Sequence, residues 1–445
     1  MKRILFALTI ILVGFNPTLI QAQQVWSLEK CINYALDNNI KIKQGAIATE
    51  YQKNQLQQTK FSRLPSLNGQ TSQNMNFGRS LTYENTYKDI NSSETNFGLG
   101  VSLPVFQGFQ ISNNISKLEL DLQASVEDLS KAKSDISVNI ASTFLEILFA
   151  KDLVLVSSNQ LDITRLQIKQ INEKVEAGSL AKGNLLDIEA QAAGEELNLV
   201  NAKNQLQLAK LKLAQLLELS LKESFDIETP SFPEISAQAS IVAANEVYNA
   251  ALLTRPEIKG ADLRFQSSKF QLKMAQGLQY PTVNLYANVY DTYNNKYTDR
   301  DGKNIAFSDQ LKNNQRKGVG LQMNIPIFNK FQTKYQIDNA RLQVLNTGLE
   351  LEGAKKLLRS DVETAQTNAI AALNRFTSNQ KAVSAMREAF RYSSEKFAVG
   401  LVNTIEYNTA KTKLSKSESD LLQAKYEFIF RTKILDFYRG LPLVL

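Results

Sequence analysis

The stretch Phe97-Gly98-Leu99-Gly100-Val101-Ser102-Leu103-Pro104-Val105 alternates without a break between large apolar residues and small or polar ones. From Phe97 to Val319, an offset of 222, the pattern is written again as Val319-Gly320-Leu321-Gln322-Met323-Asn324-Ile325-Pro326-Ile327. Period-two alternation of this length predicts a β-strand with one oily and one wet face. Val283, Leu285, Ala287 and Val289, set against Thr282, Asn284, Tyr286 and Asn288, make a third strand, and Leu67 to Phe77 a weaker fourth. Pro65, Pro104, Pro281 and Pro326 are expected where each strand meets a helix, because proline ends both ladders and helices. The segments 78–93 and 292–317, rich in Tyr, Asn and Asp, read as exposed strand connections.

Outward from the strands, the whole chain is doubled. Aligning Pro65 with Pro281, an offset of 216, makes Asn33, Ala35, Leu36, Ile42 and Lys43 recur as Asn249, Ala251, Leu252, Ile258 and Lys259. A repeat this long is a duplicated half-structure and not a solenoid. The expected organisation is a first repeat over 23–240, with a helix, a strand pair 65–105, a long helix 110–177, a turn, a helix 184–219 and a linker 220–240. The second repeat, 241–445, has a helix, a strand pair 281–328, a long helix 332–399, a turn and a helix 404–439. The helices before the strands are expected at about 40–61 and 256–277.

The long helices carry a heptad. Ile111, Ile115, Leu118, Leu122, Ser125, Leu129, Ala132 and Ile136 step by four and three, and Ile337, Ala340, Val344, Thr347, Leu351, Ala354 and Leu358 repeat them. This spacing specifies left-handed supercoiling against a neighbouring helix. Past the turns the seam continues through Ile188, Ala192, Leu199, Ala202, Leu206, Ala209, Leu213 and Leu216, and through Ala410, Leu414, Leu421, Ala424, Phe428, Leu435 and Tyr438. A second seam, Leu186, Ala190, Ala193, Leu197, Val200 and Leu211, gives that helix room for another neighbour. The long helices would each reach about 100 Å at 1.5 Å per residue, so the molecule is a rod. Mainly α with β, duplicated and coiled-coil, is the fold class.

Lys2-Arg3, the apolar run Ile4 to Val13 and the small residues ending at Ala22 have the form of a secretory leader over 1–22. Cys31 stands at helical spacing with Leu28 and Ala35 and reads as a packed thiol. The chain of 445 residues has no His and one Cys, which excludes His-based acid–base catalysis, Cys/His zinc sites and intrachain disulfides. No catalytic constellation, cofactor or metal site is expected, and the chain is read as no enzyme. The net charge of +7 is spread along helix faces and points to no nucleic-acid partner. Gly178-Ser179-Leu180-Ala181-Lys182-Gly183-Asn184 lacks the ending of a phosphate loop and follows no strand.

Four strands cannot close a spanning barrel, which needs about eight, so a membrane-inserted form must oligomerise. The same alternation suits a soluble half-buried sheet. Against that alternative, the flanking helices are committed to coiled coils running away from the sheet, and no element is left to cover it.

The opening Trp26-Ser27-Leu28-Glu29-Lys30-Cys31-Ile32, the doubled proline-bounded strands and the turns Ala177-Gly178-Ser179-Leu180 and Val399-Gly400-Leu401-Val402 together resemble the TolC family of outer-membrane efflux and secretion channels. The resemblance implies a homotrimer whose strands close one twelve-stranded transmembrane β-barrel, with the helices forming a periplasmic α-barrel. It further implies a place in the lipid of the outer membrane, a periplasmic adaptor (membrane fusion) protein docked at the turns, and an inner-membrane transporter behind it. The expected function is the passive exit duct of a tripartite efflux or type I secretion system; the alternative is an exported coiled-coil scaffold without channel activity. The family's Val-Gly-Leu adaptor turn is matched by Val399, Gly400 and Leu401, and in part by Ala177, Gly178 and Ser179; Leu180 and Val402 complete the two tips. Its acidic entrance ring is matched by Glu406 and, less closely, by Asp187, with Asn184 and Thr409 at the alternate positions.

Overall fold

A computed structural model describes residues 24–81, 85–220, 225–232, 235–236 and 240–444. The leader expected over 1–22 and Pro233 of the linker lie outside these residues. In chain order the elements are β1 (Gln24–Trp26), α1 (Leu28–Asn38), α2 (Ile40–Phe61), β2 (Ser66–Asn76), β3 (Arg79–Leu81), β4 (Tyr87–Asp89), β5 (Ser92–Gln107), α3 (Gln110–Glu176) and α4 (Lys182–Leu216). They continue with β6 (Phe225–Ile227), α5 (Ala244–Thr254), α6 (Pro256–Gly277), β7 (Thr282–Asn294), α7 (Phe307–Asn313), β8 (Arg316–Asn324), α8 (Gln332–Ala398) and α9 (Thr404–Tyr438). The helices of the two halves match in length, with 11 residues in α1 and α5, 22 in α2 and α6, 67 in α3 and α8, and 35 in α4 and α9.

β2, β5, β7 and β8 form one antiparallel sheet in that order, leaving β2 and β8 as edges. The register aligns Leu67 with Val101, Val101 with Ala287 and Ala287 with Val319, and on the next rung Leu103 with Leu285 and Leu285 with Leu321. Every strand therefore contributes its apolar residues to one face. Asn68, Gly100, Asn288 and Gly318 run across the other. A side chain on Gly320 would overlap the Tyr286 ring, so the tyrosine covers that strand where glycine leaves it bare.

Pro65 and Pro281 immediately precede β2 and β7, and Pro326 follows β8 by two residues. Pro104 is a correction: it lies inside β5, which continues to Gln107, where the register slips between Pro104 and Phe106. A bulge releases the ladder bond that proline cannot donate, so the strand passes through it. The connection 292–317 is also more than exposed loop. It contains α7, whose Gln310 is buried, receiving the Asn294 N–H at 2.9 Å and donating to the Asn294 carbonyl at 2.9 Å.

The strand-to-helix corners are doubled as well. Phe109 and Phe331 stand at φ 61° and 62° before α3 and α8, and each meets the ring of Phe106 or Phe328 edge-on at 5.2 and 5.5 Å. Around the middle of the rod, Cys31, Ala35, Ile140 and Ile147 lie in one buried cluster, and their counterparts Val247, Ala251, Val362 and Ala369 lie in another. Cys31 thus occupies a valine's place, and burial pushes its thiol up to about 12. The linker crosses this region as β6, paired in parallel with β1. Asp226 anchors it to α3 and α4 of the first half, with Lys151 at 2.8 Å and Lys210 at 3.1 Å.

Candidate functional site at the helical tips

Two helical hairpins end in the same turn. At the first, Gly178 at φ 74° follows the cap Ala177; its N–H donates to the Val175 carbonyl at 2.9 Å, and that of Ser179 to the Lys174 carbonyl at 2.9 Å. At the second, Gly400 at φ 76° follows Val399, and the N–H of Leu401 reaches the Lys396 carbonyl at 2.9 Å. These bonds consume the last orphan carbonyls of α3 and α8 through a left-handed residue. A Cβ at either glycine would meet nothing within 4 Å, so backbone conformation, and not crowding, selects glycine here. The turn presents Val399 and Leu401 to solvent, 71% and 74% exposed, while Leu180 and Val402 are half-buried and Ala177 and Ser179 are exposed.

The tips of the two hairpins are joined by polar groups. Thr404 Oγ1 donates to Asn184 Oδ1 at 2.7 Å, tying the first turn of α9 to that of α4. One turn on, Gln167 of α3 donates to Tyr407 Oη. One turn further, Lys411 Nζ lies 3.3 Å from Glu195 of α4 and donates to Thr164 Oγ1 of α3, which itself bonds Glu195. Gln191 supplies a further donor to Glu195 at 2.9 Å. Thr404, Tyr407 and Lys411 share one face of α9 and are all buried, the Lys411 side chain to 1% exposure. Burial drives the Lys411 ammonium below its ordinary value, and the Glu195 carboxylate opposes that shift. Farther along α9 the buried face becomes Ala424, Phe428 and Leu435. Where α9 diverges from α4 over α3, a cleft of about 380 Å³ opens, walled by Ser157, Gln160, Gln191, Asn198, Thr412 and Ser415.

Asp187 and Glu406 both stand exposed on the first two turns of α4 and α9, and the structure does not bring them into contact. Asn403 caps α9 by accepting the Glu406 N–H at 2.8 Å, which places that carboxylate at the positive end of the helix. Asn184 is engaged with Thr404, and Thr409 bonds back to the Ile405 carbonyl at 2.8 Å.

The heptad reading missed Tyr407 and Lys411 because it continues the seam through Ala410 and Leu414, which are only half-buried. Near the tip α9 turns toward α3 and α4 and buries the adjacent stripe instead. The available signal was a lysine and a tyrosine spaced four apart beside a seam.

Among the described residues there is no group of His, Cys, Asp and Glu that holds a metal, and no helix is long and apolar enough to cross a membrane. The sequence model of outer membrane efflux proteins matches residues 31–218 and 247–429, one segment in each half. The chain belongs to this family. The outer membrane efflux protein is 22% identical over 362 residues to outer membrane protein TolC of Escherichia coli (strain K12), covering 80% of this chain and 72% of that one. It is 22% identical over 410 residues to toxin and drug export protein A of Aggregatibacter actinomycetemcomitans, covering 90% and 83%. Among solved structures its fold is similar to the outer membrane protein VceC of Vibrio cholerae, with TM-score 0.77 and 17% identity over 94% of this chain and 96% of that one. The CmeC outer membrane channel of Campylobacter jejuni gives TM-score 0.75 and 16% identity over 94% and 86%. This outer membrane efflux protein is a duct of the outer membrane with a periplasmic extension, built on a mostly helical channel fold, and the scaffold alternative is not favoured. Its family is one of channels and not of enzymes.

Proposed function

We propose that three copies close a passive conduit whose hairpin tips form the periplasmic entrance and receive an adaptor coupled to an inner-membrane transporter. The observation that carries this reading is the Val399-Gly400-Leu401 turn: two exposed apolar side chains held on a fixed backbone at the extreme end of the rod. Solvent-exposed apolar residues in a rigid turn are suited to a partner. Assembly is supported by the sheet, whose edge strands β2 and β8 leave backbone groups unpaired that hydrocarbon cannot satisfy. The exposed second seam of α4, with Leu186, Leu197, Val200 and Leu211, is further support.

Opening the entrance requires α8 and α9 to move against α3 and α4, and the polar contacts along Thr404, Tyr407 and Lys411 suit a joint that parts. Water can replace hydrogen-bond partners there, as it cannot replace an apolar seam. Repeated around a symmetric entrance, Asp187 and Glu406 would make a ring that favours cations. Energy enters at the transporter, which selects the cargo.

Leu401→Asp tests the adaptor contact. With assembly confirmed by native mass, export should fall severalfold; undiminished export removes the contact. Asp187→Asn together with Glu406→Gln tests the ring in reconstituted bilayers, where cation preference should fall. Unchanged selectivity removes the ring from the function.

A further inference from the structure

We infer that Tyr286 and Gln70, stowed flat on glycines of the neighbouring strands, set the bore of the outer-membrane exit, so that Gly320 and Gly98 fix the largest cargo that can leave. The inference rests on the proposed conduit and names what limits size at its outer end.

The wet face of the sheet is the one that would line that conduit. On it the register sets Gln70 of β2 opposite Gly98 of β5, and Tyr286 of β7 opposite Gly320 of β8. In an ordinary rung both paired side chains rise from the sheet on the same side. Here one member has none, and the other lies across it. A Cβ on Gly320 would fall on the hydroxyl and ring of Tyr286, and one on Gly98 would stand 3.1 Å from Gln70 Cγ and 3.2 Å from its Nε2. On the next wet rung Asn288 does the same, its Oδ1 lying 2.6 Å from the place of a Gly318 Cβ. Each of these side chains fills the room its partner has given up, and so runs along the wall.

The arrangement is written twice. The 216 offset carries Gln70 onto Tyr286, and the 222 offset carries Gly98 onto Gly320. Glutamine in one half and tyrosine in the other differ in chemistry and agree in posture. Glycine alone does not produce the posture. Gly100 stands on the same face, yet a Cβ there would meet nothing within 4 Å, because Asn288 opposite it leans onto Gly318 instead. A glycine is roofed only where a side chain opposite is committed to it, as expected of positions where close approach is the purpose.

Strand number fixes the width of the backbone cylinder, and inward side chains take from that width. In a barrel of three copies the repeated halves bring three tyrosines and three glutamines to one level. Lying down, they leave the lumen nearly as wide as the backbone allows. Standing up, all of them would point at the axis together and narrow the path, and pore width is a primary term in what a channel passes. Tyr286, the larger of the two, keeps 42% of its surface exposed, so it is packed on one side only and the bare strand beneath it is what lets it lie flat.

Thiol labelling from outside reads the bore whatever the state of the tips. Asn324→Cys puts a thiol on the wet face at the last residue of β8, beyond Gly320 for a reagent entering from the exterior. Intact cells carrying the full-length chain are treated with maleimides on poly(ethylene glycol) of graded mass, and the largest that reacts measures the bore. The native Cys31 is fully buried and does not compete. Gly320→Val should lift Tyr286 off the strand and abolish labelling by the largest reagent that enters the parent, while the smallest still labels at the parent rate. Gly320→Val with Tyr286→Ser should restore the parent limit. Gly100→Val adds the same side chain to the same face where nothing has to move, and should leave the limit near the parent's. Tyr286→Ala should not raise the limit, because a ring already lying flat takes little from the lumen; a raised limit would show that the tyrosine projects and would overturn the inference. So would a limit that Gly320→Val leaves unchanged, or lowers no further than Gly100→Val does. If no reagent of any size reached Asn324→Cys in an assembly of confirmed native mass, the conduit itself would be overturned.

Discussion

Lys411 carries its charge into a place nearly closed to water, and only Glu195, Thr164 and the Gln160 carbonyl receive it. Removing one member of a buried pair leaves the other charge uncompensated, at about 3–5 kcal/mol, whereas replacing both with apolar residues is often neutral. Lys411→Met should therefore speed hydrogen exchange in the first turns of α9 markedly. Lys411→Met with Glu195→Leu should restore most of the protection. Equal exchange in the single and double variants would show that the pair is not coupled. Asp226 offers the pH-dependent case. Burial raises its carboxyl, but the hydrogen bonds from Lys151 and Lys210 outweigh burial and hold it below the ordinary 3.8. A depressed carboxylate stabilises fully above its unfolded value and loses that contribution as pH falls through the folded one. Exchange protection of β6 should accordingly hold at neutral pH and fall away from about pH 4 downward. Asp226→Asn should weaken it at neutral pH and erase the acid step.

At the scale of the element, Gly178 and Gly400 hold a left-handed backbone that costs other residues about 1–2 kcal/mol. Gly400→Val should loosen the α8/α9 turn by that amount, read as faster local exchange with assembly unchanged. A turn that exchanges at the original rate would mean its neighbours, and not the glycine, fix it. These turns were legible because one glycine after a long heptad leaves few other structures. The seams were legible too: Ile337, Ala340, Thr347, Leu351 and Leu358 are all buried, since each sits where the heptad demands. Pro104 misled because proline signals a lost ladder donor, and a bulge and a strand end lose it equally. The α7 helix was hidden in a polar segment, where what folds it is Gln310 bonding a distant strand end, and no periodicity encodes such a bond. The polar joint at Tyr407 and Lys411 was hidden because α9 changes partner along its length, and a heptad says which stripe is oily without saying which neighbour it meets.

The whole molecule is a chain both of whose halves leave apolar side chains uncovered, Ile40, Tyr51 and Phe61 on α2 and Leu342, Leu345 and Leu349 on α8 among them. Sequence periodicity alone was even-handed between a soluble half-buried sheet and a barrel segment, because the pleat alternates in the same way in both. What separates them is the fate of the apolar residues outside the strands. Leu342 and Leu349 lie seven residues apart on one face of α8, exposed in the single chain, and burying each in an assembly is worth about 1.5–3 kcal/mol. Leu342→Glu with Leu349→Glu should weaken association by at least about a hundredfold, since each leucine alone accounts for about tenfold or more. Light scattering in mild detergent should then find single chains whose helical circular dichroism is retained. Arg264→Ala, which breaks the pair with Asp128 inside the chain, should leave the number of copies unchanged and instead loosen α6 against α3. If the arginine variant fell apart into single chains and the double leucine variant did not, the exposed leucines would not be what holds the copies together. With the expected outcome, polar pairs align parts already tethered, and apolar side chains draw separate molecules together.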